Sequence, residues 1–142
     1  MKNKNYIGNF IYFILIAILL ACGTSLLSNH YTEAQRTFEY SLFYITIIIV
    51  IFFGGIGVVL GLSNVNFSVK KIKDLKLDRS RLLLLVLPSF IISMTHIWAL
   101  LGLLDNLSTI YSYIIKNQYI IIISSIILGN SIVSSIYIEK NE

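Results

Sequence analysis

The sequence predicts an all-α integral membrane protein: a single domain, 1–142, built as a bundle of four transmembrane helices with short loops and both termini cytoplasmic. Three observations carry that expectation. Of 142 residues, 56% are hydrophobic and only 13% are charged, where a soluble domain carries about 25% charge. The mean hydropathy is +0.81. Four segments, 6–27, 41–62, 82–104 and 119–138, contain no Lys, Arg, Asp or Glu. This composition excludes a water-soluble globule, a disordered tail and a disulfide-stapled secreted domain.

Each charge-free segment has roughly 20 residues, enough at about 1.5 Å per residue to cross a hydrocarbon core of about 30 Å. Their β-branched runs, such as Ile47-Ile48-Ile49-Val50-Ile51, would favour strands in water. In lipid an open strand leaves its backbone unpaired, so the helix is expected instead. A barrel would need alternating segments of about ten residues, and these runs are continuous. The connections 28–40, 63–81 and 105–118 are too short for separate domains. The richness in Ile, Asn and Lys suggests an AT-rich, bacterial coding sequence and a place in the cell (inner, cytoplasmic) membrane.

Orientation follows from the cations. Lys2, Lys4, Lys70, Lys71, Lys73, Lys76, Arg79, Arg81 and Lys140 fall on one side, and only Arg36 and Lys116 on the other. The bias places both termini and the middle loop in the cytoplasm. Tyr6 and Tyr137 mark the inner boundary. Tyr31, Tyr40, Tyr111, Tyr113 and Tyr119 mark the outer one, rings in the apolar edge and hydroxyls toward water. The formal net charge of +4 thus resides mostly in the middle loop and points to anionic lipid headgroups, not nucleic acid.

Helices in lipid associate through close approach and polar contacts. Small or weakly polar residues recur at helical spacing in every span and are expected to face the bundle. The stripes are Ala17, Ala21, Thr24 and Ser28; Thr46, Gly54, Gly57 and Gly61; Ser89, Ser93 and His96; and Ser124, Ser131 and Ser135. Gly54, Gly57 and Gly61 are read as a packing motif inside the monomer, with a dimer contact as the alternative. Pro88 removes a backbone donor and predicts a kink in the third span.

Among candidate chemical groups, His96 is the one intramembrane histidine. With Ser93 and Ser89 it forms a candidate polar site, and at its depth the topology brings Cys22, Thr24, Thr46, Thr95 and Ser124. One histidine with one cysteine is too few ligands for a metal. No cofactor or metal is therefore expected. The simpler reading is a neutral histidine hydrogen-bonded to a hydroxyl, fixing helix register.

Leu19-Leu20-Ala21-Cys22-Gly23, after a lysine-bearing start and an apolar stretch, resembles the lipobox of bacterial lipoprotein signal peptides. The resemblance implies lipidation at Cys22. It covers only this tip of the chain, places Leu20 where a smaller residue is usual, and competes with an uncleaved helix running on to Leu27. The basic loop Lys70, Lys71, Lys73, Lys76, Arg79 and Arg81 sets topology. Val69, Ile72 and Leu75 are close enough in phase for a short helix lying on the inner leaflet.

No carboxylate falls within a span, as a small four-helix proton-coupled exporter would need. The sequence lacks a helical zinc-protease motif, a phosphate-binding loop with its lysine, a Gly-x-Ser-x-Gly elbow, and paired intramembrane acids. The expectation is a non-enzymatic protein that binds or stabilises other membrane components, in an accessory or immunity-like role. The alternatives are an oligomeric small transporter or holin-like pore component, self-associating through Gly54–Gly61, and a polytopic lipoprotein.

Overall fold

Nothing in the sequence from Tyr6 to Thr37 breaks a helix. The first helix therefore runs unbroken well past the apolar segment, as α1 (Asn3–Thr37). The computed structural model describes residues 3–64, 75–103 and 108–138. Residues 28–37, expected as loop, continue the helix because polar residues such as Glu33, Gln35 and Arg36 are good helix formers once outside lipid. Thr32 and Thr37 add bonds from their Oγ1 to the carbonyls of Ser28 and Glu33, at 2.9 and 3.0 Å. The helix ends where Phe38 adopts a left-handed φ of 58° and donates its N–H to the Ala34 carbonyl, 2.9 Å away.

After a short turn, Ser41 caps α2 (Leu42–Ile48) by accepting from the Tyr44 N–H. A π segment (Ile49–Phe53) follows, then α3 (Gly54–Asn64). The π turn accommodates one extra residue without ending the helix, so Leu42–Ser63 forms one apolar rod. Among the described residues two helices, Tyr6–Thr37 and Leu42–Ser63, are long and apolar enough to cross a membrane. A third is counted if Thr109–Lys116 and Tyr119–Ser134, bent by 85°, are taken as one span.

The predicted third span is not one straight helix. Asp78 caps α4 (Arg79–Arg81), accepting from the N–H groups of Ser80 and Arg81. The chain continues through a π segment (Leu82–Val86) into α5 (Leu87–Ser93) and, beyond a break at Met94, α6 (Thr95–Leu100). The π segment directly precedes Pro88, whose missing N–H forbids the regular bond to Leu84. The break at Met94 has a local cause too. Ser93 Oγ donates to the Phe90 carbonyl at 3.0 Å, and Thr95 Oγ1 to the Ile92 carbonyl at 2.6 Å. Back-bonding of this kind bends helices.

Helix α7 (Ser108–Lys116) lies nearly perpendicular to α8 (Tyr119–Ser134). The predicted fourth span, 119–138, stops short: after Ser135 the chain extends as β2 (Ile136–Ile138), antiparallel to β1 (Leu75–Leu77), with Lys76 opposite Tyr137. Leu75 is thus in a strand and not in the expected surface helix. Asp78 N–H adds a bond to the Ser135 carbonyl at 2.8 Å.

Helices α3 and α8 form the central pair. The π segment Ile49–Phe53 and α5 also pack on α8, and α1 packs on α3. The core comprises Leu27, Ile45, Ile48, Ile49, Phe53, Ile56 and Ile121.

Candidate functional site

Among the described residues, α3 and α8 approach closely enough for backbone to meet backbone. A Cβ added at Gly57 would collide with the Ile126 carbonyl oxygen and sit 2.8 Å from the Asn130 nitrogen. One added at Gly129 would collide with the Gly54 carbonyl oxygen. At Gly61 it would lie 2.7 Å from Val133 Cβ. Gly54 differs, since its added Cβ would be 3.7 Å from the Ser125 oxygen, an ordinary contact. Two backbones therefore touch at Gly57 and Gly129, and α8 of the same chain occupies the glycine face. Gly129 escaped notice in the sequence because it stands alone.

The helices also bury polar side chains. Helix α5, which packs on α8, buries Ser89 and Ser93, and α8 buries Ser124, Ser125 and Ser131, with Ser135 buried at its carboxyl cap. Helix α6, which packs on α2, buries Thr95 and His96, and α2 buries Thr46. Ser89 and Ser93 lie on α5 and His96 on α6, beyond the break at Met94. Thr46 and Ser135 return their hydroxyls to their own helices, to the carbonyls of Leu42 and Ile132 at 2.9 and 2.7 Å. His96 is 1% exposed, and neither of its ring nitrogens has a partner among the described residues. Ser125 Oγ, fully buried, is likewise unpartnered. His96 and Ser125 thus keep hydrogen-bonding capacity that no other described residue uses.

The remaining expected members of that patch lie elsewhere. Cys22 is exposed, and Thr24 is exposed with its hydroxyl bonded to the Leu20 carbonyl at 2.8 Å. Indeed the whole Ala17, Ala21, Thr24, Ser28 stripe faces outward, contrary to expectation. Helix α1 instead buries Gly23, Leu27 and Ala34. At Gly23 an added Cβ would be 2.9 Å from Phe52 Cβ. The bulk of Phe52 and Phe53 needs a glycine opposite it, and this fixes which face of α1 turns inward.

Of the basic loop, Lys70, Lys71 and Lys73 lie outside the described residues, and Lys76 lies in β1. Arg79 is exposed. Arg81 Nη1 donates to the Ser134 carbonyl at 3.0 Å, and its Nε lies 3.5 Å from Asp78 Oδ2. A cation at the carboxyl end of α8 meets the negative end of the helix dipole.

Sequence reasoning missed a second constellation, because it treated 28–40 as loop. On the helical extension His30, Glu33 and Thr37 share one face, and the turn brings Tyr40 and Ser41 beside them. His30 packs among tyrosines, with ring centroids 5.1 Å from Tyr44 and 6.4 Å from both Tyr31 and Tyr40. A cavity of about 550 Å³ opens between Glu33, Glu39, Tyr40 and His30. Another of about 400 Å³ adjoins it beside Asn29 and Tyr44. Tyr31 OH donates to Gln118 Oε1 at 2.7 Å, tying this end of α1 to the α7–α8 turn. The helical spacing of His30, Glu33 and Thr37 was the available signal. Among the described residues no group of three His, Cys, Asp or Glu side chains is placed to hold a metal ion. Comparison with protein-family models, curated proteins and solved structures finds no match to this chain.

Proposed function

We propose that this chain is a non-catalytic membrane protein that binds and stabilises another membrane protein through the outward face of α1. The observation that carries the reading is the exposed Ala17, Ala21, Thr24, Ser28 stripe. Small residues at helical spacing let a second helix approach closely in lipid, and hydroxyls at such contacts add hydrogen bonds. Helix α1 does not use this stripe within its own bundle, where Gly23, Leu27 and Ala34 serve. In the proposed bacterial inner membrane the chain crosses four times, through α1, the α2–α3 rod, the broken α4–α6 run and α8. The amphipathic α7 lies at the outer surface. The ribbon, Arg79 and Arg81 lie on the cytoplasmic side against anionic headgroups.

Crosslinking in native membranes, followed by affinity capture and mass spectrometry of the full chain, tests this reading. The expected product is a stable heteromeric adduct through α1, with Cys22 carrying no lipid. Adducts to lipid alone contradict it, and a diacylglyceryl mass on Cys22 replaces it with the lipoprotein reading.

A small-transporter reading draws on the unpartnered nitrogens of buried His96. It would need a homo-oligomer contact other than Gly57, which α8 already fills.

A further inference from the structure

We infer that α6 is a pH-sensitive latch, seated on α2 while the His96 ring is neutral and released when the ring takes a second proton. Five buried side-chain polar atoms lack a partner among the described residues, and three of them lie on α6: both ring nitrogens of His96 and Nε1 of Trp98. His96 is 1% exposed. A neutral imidazole in that seat leaves one donor and one acceptor unused. An imidazolium would leave two donors and a full charge without a partner, which a buried site tolerates far less.

No counter-charge is placed to hold the protonated ring. Helix α6 packs chiefly on α2, with α5 and α7 beside it. Helix α5 carries no titratable side chain, α2 carries Tyr44 alone, and α7 carries Tyr111, Tyr113 and Lys116. None of these is a carboxylate. The Tyr44 ring packs against His30, and Lys116 is exposed and itself cationic. The buried hydroxyls of Thr46 and Thr95 donate to carbonyls of their own chain segment, at Leu42 and Ile92.

The backbone is broken on both sides of this short helix. Before it, Met94 leaves helical geometry at φ −94° and ψ 13°. After it, Gly102 takes a left-handed φ of 71° and donates to the Ala99 carbonyl at 3.0 Å, while the Leu103 N–H donates to the Trp98 carbonyl at 3.1 Å. Such a cap closes a helix on itself. Thr95–Leu100 can therefore move as a unit without unwinding α5. Protons favour the released state, because only there does the ring meet water. A solvated imidazole titrates near about pH 6.5. The seated state thus keeps its full stability above that value. Below it the released-to-seated ratio rises by up to about tenfold per pH unit.

Trp98, the one tryptophan of the chain, lies on the latch and reports its position. Acrylamide quenching of its fluorescence is measured on the full chain in phosphatidylcholine nanodiscs, from about pH 8 to about pH 5.5. The quenching constant is expected to rise at least about twofold on acidification. His96→Phe and His96→Gln should each abolish the rise, and circular dichroism selects the variants that keep their helicity. His30→Gln, which removes the other histidine, should leave it intact. Hydrogen exchange, corrected for its intrinsic pH dependence, should show amides 95–100 losing protection while α3 and α8 keep theirs. A parent chain whose quenching is unchanged across the range overturns the latch. So does a folded His96→Gln chain that retains the rise, a folded His30→Gln chain that loses it, or a loss of protection that spreads through α3 and α8.

Discussion

At the scale of single residues, the glycines separate into those that hold the bundle together and those that only permit it. Gly57 and Gly129 lie against the partner helix's backbone, which cannot move aside as a side chain can. Gly57→Leu is expected to lower the stability of the folded chain by about 3 kcal/mol or more, as overpacking without room to relax does. Gly54→Ala should be neutral or slightly stabilising, because its Cβ meets only an ordinary contact and alanine favours the helix by about 1 kcal/mol. Thermal denaturation in detergent, followed by circular dichroism, measures both. Equal losses at the two positions would contradict the crossing geometry. The sequence presents Gly54, Gly57 and Gly61 as equivalents, since spacing alone reports a face. Which member of the face touches backbone depends on where α8 crosses, and that is a tertiary fact.

At the scale of elements, the legible part is the helical nature of the apolar runs, because lipid leaves the backbone no other economy of hydrogen bonds. Their ends and bends were less legible. Charge-free stretches report where lipid would begin, whereas α1 continues through Glu33, Gln35 and Arg36 on helix propensity together with the packing of Ala34 and the Tyr31–Gln118 bond. The extension carries His30 and Glu33, which explains why that cavity was invisible from composition. Pro88 did signal an irregularity, and the π segment before it is the form taken. Met94 gave no such sign; the break belongs to the back-bonding hydroxyls of Ser93 and Thr95. Ser93→Ala combined with Thr95→Val should straighten the α5–α6 run. Spin labels at the exposed positions 85 and 100 would then move toward the separation of about 22 Å of a continuous helix. An unchanged distance by pulsed electron resonance would assign the break to packing instead.

At the scale of the whole molecule, the two ends differ in chemistry. One gathers Tyr31, Tyr40, Tyr44 and Gln118, and the other the β1–β2 ribbon with Arg79 and Arg81. An isolated ribbon has unpaired edges and is not tolerated within hydrocarbon, so it belongs at a wet surface. In a Cys22→Ser background, Gln35→Cys should react with a membrane-impermeant maleimide in intact cells. Ser63→Cys should react only after permeabilisation. The reverse pattern would invert the proposed orientation.

An inner seam, α3 against α8, contrasts with an outer face of α1 that no other described element covers. The sequence showed four similar stripes and offered no means of telling which was outward. Gly23 against Phe52 and Phe53 decided it. The outward stripe is the proposed docking face. It is tested most directly by the yield of crosslinked heteromeric complex from an Ala21→Leu chain, normalised to folded protein. The expected result is a chain as stable as the parent, within about 0.5 kcal/mol, whose complex is lost. A folded chain that still gives the complex at full yield would contradict it.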